Sequence, residues 1–188
     1  MNTLRIYIVG VGGQGNVLAS KMIGEAALSM GVPVLMSETH GMAQRGGAVT
    51  TVVRFGEEVC SMVADLGSAD CVVSFETTEA LRNLPYLKEG GNLLVADETI
   101  KPLPVQTGRA SMPADARGQL RDLGATLIPA GSLALEIGSP KSVNVVLLGA
   151  LVKAMGLEDL DWKAVLSETV PPKLLELNIR AFEAGLAQ

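Results

Sequence analysis

The chain has 188 residues and is apolar and acidic: hydrophobic residues make up 48% of it, aromatic residues 3%, and the formal net charge is −5. A chain of this length and apolar content can bury a substantial core, so we expect one domain over residues 1–188. Because no stretch concentrates lysine and arginine, the composition argues against nucleic acid as a partner.

The chain begins with a strand, a glycine turn and a helix. Residues 4–9 are a short, β-branched apolar run that predicts a buried strand. Four glycines crowd the next six positions: Gly10, Gly12, Gly13 and Gly15. Apolar residues with helical spacing follow from Val17 to Leu28. Such a turn lets backbone N–H groups approach an anion at the helix N-terminus, and its spacing satisfies the dinucleotide fingerprint. The alternative is a tight strand-to-helix turn that binds nothing.

A second strand and a long polar loop come next. Gly31 ends the helix, residues 32–36 predict a buried strand, and residues 37–47 predict a glycine-rich loop. Residues 48–55 form a third strand by their β-branched content, with 59–63 as its expected hairpin partner. If the first two strands are parallel neighbours, the glycine turn and the 37–47 loop share one rim, where ligands of doubly wound sheets bind.

The remaining elements alternate between strands and helices. The further strands are expected at 71–75, 92–96 and 125–128. The further helices are expected at 76–87 with Thr77 or Thr78 as its cap, 114–123, 132–137, 143–154, 162–170 and 173–187. Residues 99–113 contain three prolines and predict a surface excursion, the most flexible part of the domain. The order indicates a three-layer α/β/α domain with a mostly parallel, Rossmann-like sheet and C-terminal helices.

The metal-ligating residue types are sparse. The two cysteines, Cys60 and Cys71, lie in apolar runs outside any C-x-x-C pair, and the chain has one histidine. This set matches neither a zinc site nor an iron–sulfur cluster held by the chain alone, so we expect no metal and buried, reduced thiols. The N-terminus lacks the pattern of a signal peptide, and no apolar run reaches the length of a membrane span. We therefore expect a cytoplasmic protein with no membrane partner.

The 37–47 loop carries most of the candidate binding residues: Glu38, His40, Gly41, Gln44, Arg45, Gly46 and Gly47. Glu38 lies about 20 residues past the glycine turn, where a ribose-binding acid belongs in a dinucleotide site. A dinucleotide fold continues from that acid into a helix, however, whereas this chain continues through glycines into a strand. The loop therefore also suits an anion site, an acyl-carrier site or a docking surface.

Individual side chains leave alternatives open. Glu38 either accepts backbone N–H bonds within the loop or contacts a ligand, and Arg45 either pairs with Glu38 or binds a phosphate or an interface carboxylate. For His40, a hydrogen bond that shapes the loop is favoured over proton transfer. The Gln14 amide is free to reach a ligand or a partner. Asn144, at the start of an apolar helix, is expected to be buried and bonded to a neighbouring loop.

Two segments carry a resemblance to a known family: GVGGQGNVLASKMIGEAA and SETHGMAQRGGAV. Together they resemble the gamma subunit or domain of the 2-oxoacid:ferredoxin oxidoreductases, and GMAQRGG is closest to the indolepyruvate and 2-oxoglutarate branch. The resemblance extends over nearly the whole chain, through DCVVSFETTEALRNLPYLKEGG, NVVLLGAL and NIRAFEAG.

The resemblance implies a non-catalytic, three-layer module that packs beside a thiamine diphosphate site and helps to form a coenzyme A channel. Thiamine diphosphate and iron–sulfur clusters would then belong to partner subunits, and ferredoxin would be reached through the complex. The isolated chain is expected to lack turnover and to self-associate. The alternative is a free-standing NAD- or nucleotide-binding protein. An adenylating enzyme is a weaker third reading, because the paired arginines and the C-x-x-C zinc site that it needs are absent.

Overall fold

The computed structural model describes residues 2–41, 46–59, 61 and 63–188. Within these residues the strands are β1 (Leu4–Val11), β2 (Val34–His40), β3 (Ala48–Phe55), β4 (Ala69–Ser74), β5 (Leu87–Ala96) and β6 (Thr126–Ile128). The helices are α1 (Asn16–Ser29), α2 (Thr77–Asn83), α3 (Leu103–Gln106), α4 (Ala116–Asp122), α5 (Ala130–Glu136), α6 (Val143–Met155), α7 (Trp162–Thr169) and α8 (Leu175–Leu186). Short 3₁₀ turns at Leu84–Tyr86 and Pro172–Leu174 precede β5 and α8.

The strands form one mixed sheet in the order β2-β3-β1-β4-β5-β6. Strands β1, β4, β5 and β6 pair in parallel, whereas β3 runs antiparallel to both β1 and β2. Strand β2 therefore points the same way as β1, and β3 alone runs against the rest. This confirms the mostly parallel sheet, and the first two strands are parallel, but they are not neighbours because β3 lies between them. The connection at 41–47 is too short for a crossover, so β2 and β3 must form a hairpin.

The expected hairpin partner at 59–63 is not a strand. Val59, Ser61 and Val63 have no strand pairing, and Cys60 and Met62 lie outside the described residues. Both edges of β3 are already occupied by β1 and β2. A further strand therefore has no free edge of β3 to pair with.

Strand β5 starts five residues earlier than the expected 92–96. Gly90, with φ +71°, does not end the preceding element but lies within the strand. The pairing of β4 with β5 shifts register between Ala69 and Cys71, opposite this glycine segment. A glycine with positive φ accommodates such a bulge without breaking the strand.

Helix α2 is capped by Glu76 rather than by Thr77 or Thr78. The Glu76 carboxylate accepts a hydrogen bond from the backbone N–H of Glu79. Burial raises the pKa of Glu79; the nearby Arg82 guanidinium opposes this rise and the Glu76 carboxylate adds to it. An acidic cap suits the partial positive charge of a helix N-terminus, which is why a carboxylate can replace the expected hydroxyl.

Two hydrophobic clusters lie on opposite faces of the sheet, because successive strand residues alternate between the faces. Ile6 and Ile8 pack towards the cluster that contains α1 and α5 to α8. Tyr7 and Val9 pack towards the smaller cluster that contains α2 and α4. The chain is thus built of three layers, with the larger helical layer formed mainly by the C-terminal half.

Candidate functional site

The glycine turn joins β1 to α1 in the way that its sequence predicts. Gly13 and Gly15 have φ values of +98° and +88°, a backbone region that side chains disfavour. The carbonyl of Gly15 accepts hydrogen bonds from the N–H groups of Leu18 and Ala19, at 3.1 and 3.2 Å, and so starts the helix. No side chain of the described residues caps this N-terminus. Its first N–H groups are left for another acceptor.

The Gln14 amide is engaged by the protein backbone on both sides. Its Oε1 accepts a hydrogen bond of 2.7 Å from the Val11 N–H, and its Nε2 donates one of 3.1 Å to the Phe75 carbonyl. A side chain at Gly10 would collide with this arrangement, since an added Cβ would lie 2.7 Å from Gln14 Oε1 and 2.8 Å from Phe75 Cβ. Gln14 and Gly10 thus hold the turn in shape, and Gly13 is its exposed residue.

The expected loop at 37–47 is shorter than predicted, because β2 runs on to His40. Glu38 and His40 lie in this strand, opposite Thr51 and Val49 of β3. Being two residues apart on a strand, their side chains point the same way, and His40 Nε2 contacts Glu38 Oε1. Gln44 and Arg45 lie outside the described residues.

The two predicted binding segments do meet at one rim of the sheet. The Gly12 N–H donates a 2.9 Å hydrogen bond to the Gly47 carbonyl, and the Gly41 N–H donates one of 2.8 Å to the Ala48 carbonyl. Gly46 has a φ of +74°, a backbone region that glycine adopts without strain. Backbone hydrogen bonds therefore hold the glycine turn and the end of the hairpin together, although β1 and β2 are not adjacent and β3 lies between them.

A cleft of about 900 Å³ opens beside the glycine turn. Its walls come from the turn, the segments that follow β5 and β6, and the start of α6. Apolar side chains on its surface include Leu18, Ile100 and Leu135. Its polar side chains include Glu98, Lys141 and Asn144. This cleft lies at the carboxyl ends of the parallel strands, the usual ligand position in such sheets.

The electrostatics of the cleft favour an anion on one side. The N-termini of α1 and α6 both reach it, and no side chain in the part of the chain that the structure describes caps either one. Lys141 lies two residues before α6, is exposed, and forms no ion pair with another described residue. Uncapped N–H groups, the helix dipole and an ammonium group are all groups that attract phosphate or carboxylate.

Asn144 connects the two helix starts. It is only 4% exposed, and its Nδ2 lies 3.5 Å from the Gly15 carbonyl oxygen. This agrees with the expectation of a buried side chain bonded to a neighbouring loop. An added Cβ at Gly15 would lie 2.8 Å from the same Nδ2, so the turn and α6 are in direct contact.

Sequence reasoning found the glycine turn but missed Glu98 and Lys141, which the second half of the chain supplies. Neither residue was singled out from the sequence. The signal that was available is their position: Glu98 lies two residues past the end of β5, and Lys141 lies two residues before α6. Residues that follow parallel strands are the expected ligand contacts in this architecture.

The described residues hold no group of three or more histidine, cysteine, aspartate or glutamate side chains that fits a metal ion. Cys71 is fully buried in β4, and burial raises the pKa of its thiol, which favours the inert protonated form. Among the same residues, no helix has both the length and the apolar content needed to span a bilayer.

Comparison with known proteins gives a consistent result over the whole chain. A family model described as "Pyruvate ferredoxin/flavodoxin oxidoreductase" matches residues 5–188. The chain is 42% identical to the indolepyruvate oxidoreductase subunit IorB of Thermococcus kodakarensis, over 99% of this chain and 96% of that one. It is 30% identical to the 2-oxoglutarate synthase subunit KorC of Methanothermobacter marburgensis, over 96% and 93%.

A solved structure supports the same assignment. The 2-oxoglutarate:ferredoxin oxidoreductase of Magnetococcus marinus, solved with 2-oxoglutarate, coenzyme A and succinyl-CoA bound, matches with a TM-score of 0.77 and 25% identity. The match covers 100% of this chain and 31% of that longer one. The resemblance found in the sequence is thereby confirmed: the chain belongs to the pyruvate ferredoxin/flavodoxin oxidoreductase family, among the gamma subunits of the 2-oxoacid:ferredoxin oxidoreductases.

Proposed function

We propose that this chain is the non-catalytic gamma-type subunit of a thiamine diphosphate-dependent 2-oxoacid:ferredoxin oxidoreductase, and that its cleft forms part of the coenzyme A channel. The single observation that carries the proposal is the pair of uncapped helix N-termini, α1 and α6, that open with Lys141 onto one cleft. Such a site holds an anion without holding a redox group.

Coenzyme A has the chemistry that this cleft suits. Its diphosphate and 3′-phosphate need several donors, which the backbone of the glycine turn, the start of α6 and Lys141 offer. Its pantetheine arm and adenine ring need apolar contacts, which Leu18, Ile100 and Leu135 offer. The Magnetococcus marinus relative was solved with coenzyme A bound, which supports this choice of ligand.

The remaining chemistry belongs to partner subunits in this proposal. They would hold the thiamine diphosphate that cleaves the 2-oxoacid and the iron–sulfur clusters that pass electrons to ferredoxin, while coenzyme A accepts the acyl group. No catalytic residue is assigned to this chain. Its location would be the cytoplasm, where ferredoxin and coenzyme A are used.

The substrate we propose is an aromatic 2-oxoacid, with indolepyruvate as the reference compound, because the identity to the IorB subunit is 42% and that to the KorC subunit 30%. The test is the kcat/KM of the complex assembled with its thiamine-binding subunits. We expect at least a tenfold preference for indolepyruvate over 2-oxoglutarate, since one bulky apolar side chain is worth more than about 1.4 kcal/mol in a matching pocket. The reverse preference would assign the complex to the 2-oxoglutarate branch.

The alternative, a free-standing NAD-binding protein, keeps some support from the Gly10-x-Gly12-x-x-Gly15 spacing. Its ribose-binding acid would be Glu38. That residue lies on β2, which β3 separates from β1, and its carboxylate contacts His40. This arrangement is unlike a dinucleotide site, where the acid follows a strand next to β1.

Arg45 remains a proposed contact of the site, together with Gly41, Gln44, Gly46 and Gly47. We expect the Arg45→Ala complex to bind coenzyme A about ten- to a hundredfold more weakly, or to assemble poorly, because a charge-assisted contact is lost. Apparent KM for coenzyme A and complex yield on a sizing column separate a phosphate contact from a docking contact. Unchanged kinetics together with unchanged assembly would remove Arg45 from the site.

A further inference from the structure

The acid in the cleft, Glu98, stands on a firmly held backbone. The Asp97 N–H donates a 2.8 Å hydrogen bond to the Ile128 carbonyl of β6, and the Thr77 N–H at the start of α2 donates one of 2.9 Å to the carbonyl of Glu98 itself. The Glu98 N–H donates one of 2.7 Å back to Ala96. The position from which the side chain extends is therefore fixed by three elements, although the side chain itself is exposed.

The Glu98 carboxylate lies against Gly131, in the first turn of α5. A Cβ added at Gly131 would overlap Glu98 Oε1, so a side chain there would displace the carboxylate. No other described residue forms a hydrogen bond or an ion pair with this carboxylate, and Lys141, which lines the same cleft, does not pair with it. Among the described residues, the Glu98 carboxylate therefore accepts no hydrogen bond, and its oxygens are available to a ligand.

Glu98 gives the cleft two chemically different walls. The wall at residues 13–15, α6 and Lys141 attracts an anion, whereas the wall at Glu98 repels one and accepts hydrogen bonds. A phosphate without further groups is attracted by the first wall and repelled by the second. A ligand with an anionic part at one end and hydroxyl or N–H donors elsewhere satisfies both walls, and only in one orientation.

We propose that Glu98 determines the specificity and orientation of the ligand in this cleft, by accepting a hydrogen bond from a hydroxyl or N–H group of its uncharged part. The phosphate groups are thereby kept at the glycine turn and Lys141. The inference rests on the proposed function for the identity of the ligand: coenzyme A carries such donors in its pantetheine amides, its hydroxyl groups and its adenine amine.

The experiment uses the assembled complex and two probes, coenzyme A and inorganic diphosphate, with dissociation constants measured by calorimetric titration. The variants are Glu98→Gln and Lys141→Gln, and the matched control is Glu136→Gln, an exposed acid on α5 that does not line the cleft. We expect Glu98→Gln to weaken coenzyme A binding about fivefold, because a charge-assisted hydrogen bond becomes a neutral one. The same variant should tighten diphosphate binding about threefold, because a repulsion is removed. Lys141→Gln should weaken both probes.

The test depends on Glu98→Gln changing the dissociation constants of the two probes in opposite directions. If Glu98→Gln tightens both probes, Glu98 only repels anions and the inference is wrong. If it behaves like Glu136→Gln with both probes, the acid has no part in binding and the inference is equally wrong. A wild-type complex that binds diphosphate but not coenzyme A overturns the proposed function instead, which separates the two failures.

Discussion

An alanine at Gly185 is expected to lower the free energy of unfolding by about 3 kcal/mol, the upper part of the range for overpacking a core. The added methyl group would overlap the Val146 carbonyl oxygen of α6 and lie 3.0 Å from the Ala150 nitrogen. The contact is reciprocal, because a Cβ at Gly149 would lie 2.9 Å from the Leu186 nitrogen of α8. Two helices that cross this closely cannot accept a side chain without moving apart.

Urea unfolding of the chain measures this effect. The matched control is Gly24→Ala in α1, also a buried helical glycine, where an added Cβ would meet only the flexible Met36 side chain, with Sδ at 3.0 Å. We expect this control to stay within about 1 kcal/mol of the wild type, since the gain in helix propensity offsets a small adjustment. Equal stabilities of the two variants would show that α6 and α8 do not touch as described.

Gly15→Ala is expected to damage the site as well as the fold. Alanine at a φ of +88° costs about 1–2 kcal/mol, and its methyl group would also press on Asn144 Nδ2 at 2.8 Å. Because that contact joins the glycine turn to the start of α6, both helix ends of the proposed site should shift. We expect the apparent KM for coenzyme A in the assembled complex to rise at least tenfold, which corresponds to the loss of about one charge-assisted contact.

Gly13→Ala is the control for this variant. Gly13 also has a positive φ, +98°, but an added Cβ there would meet nothing within 4 Å. The two variants share the backbone strain, and only Gly15→Ala strikes α6. The difference between their KM values therefore measures what the contact with Asn144 contributes to the site. If the two KM values are the same, the junction with α6 does not shape the site.

The glycine turn was predictable from sequence because its determinants are local. Gly13 and Gly15 have the positive φ values that few other residues adopt, and the apolar run before them is long enough only for a strand. The N-cap of α2 and the bulge in β5 were harder to predict from the sequence. Glu76 replaced the expected hydroxyl cap, and Gly90 bent a strand that it was expected to precede.

Pairing order was beyond the reach of local patterns. The sequence of residues 48–55 predicts a strand but does not predict that this strand lies between β1 and β2, because β-propensity does not specify which strands pair. The extension of β2 through Glu38 and His40 follows from that same pairing. Both residues are polar, so their sequence does not predict a strand, and they become part of one only by pairing with β3 in the folded hairpin. Glu98 and Lys141 reach the cleft through contacts between distant segments, so their pattern in the sequence resembled ordinary loops.

We expect this chain to work only as part of an oxidoreductase complex. The most direct measurement is 2-oxoacid-dependent reduction of ferredoxin, with coenzyme A present, by this chain alone, by its thiamine-binding subunits alone and by the mixture after a sizing column. We expect this chain alone to self-associate, to carry no NAD or flavin and to show no turnover, while the co-eluting mixture is active. Turnover by this chain alone, or tight NAD binding by a chain that does not co-elute with those subunits, would contradict the account.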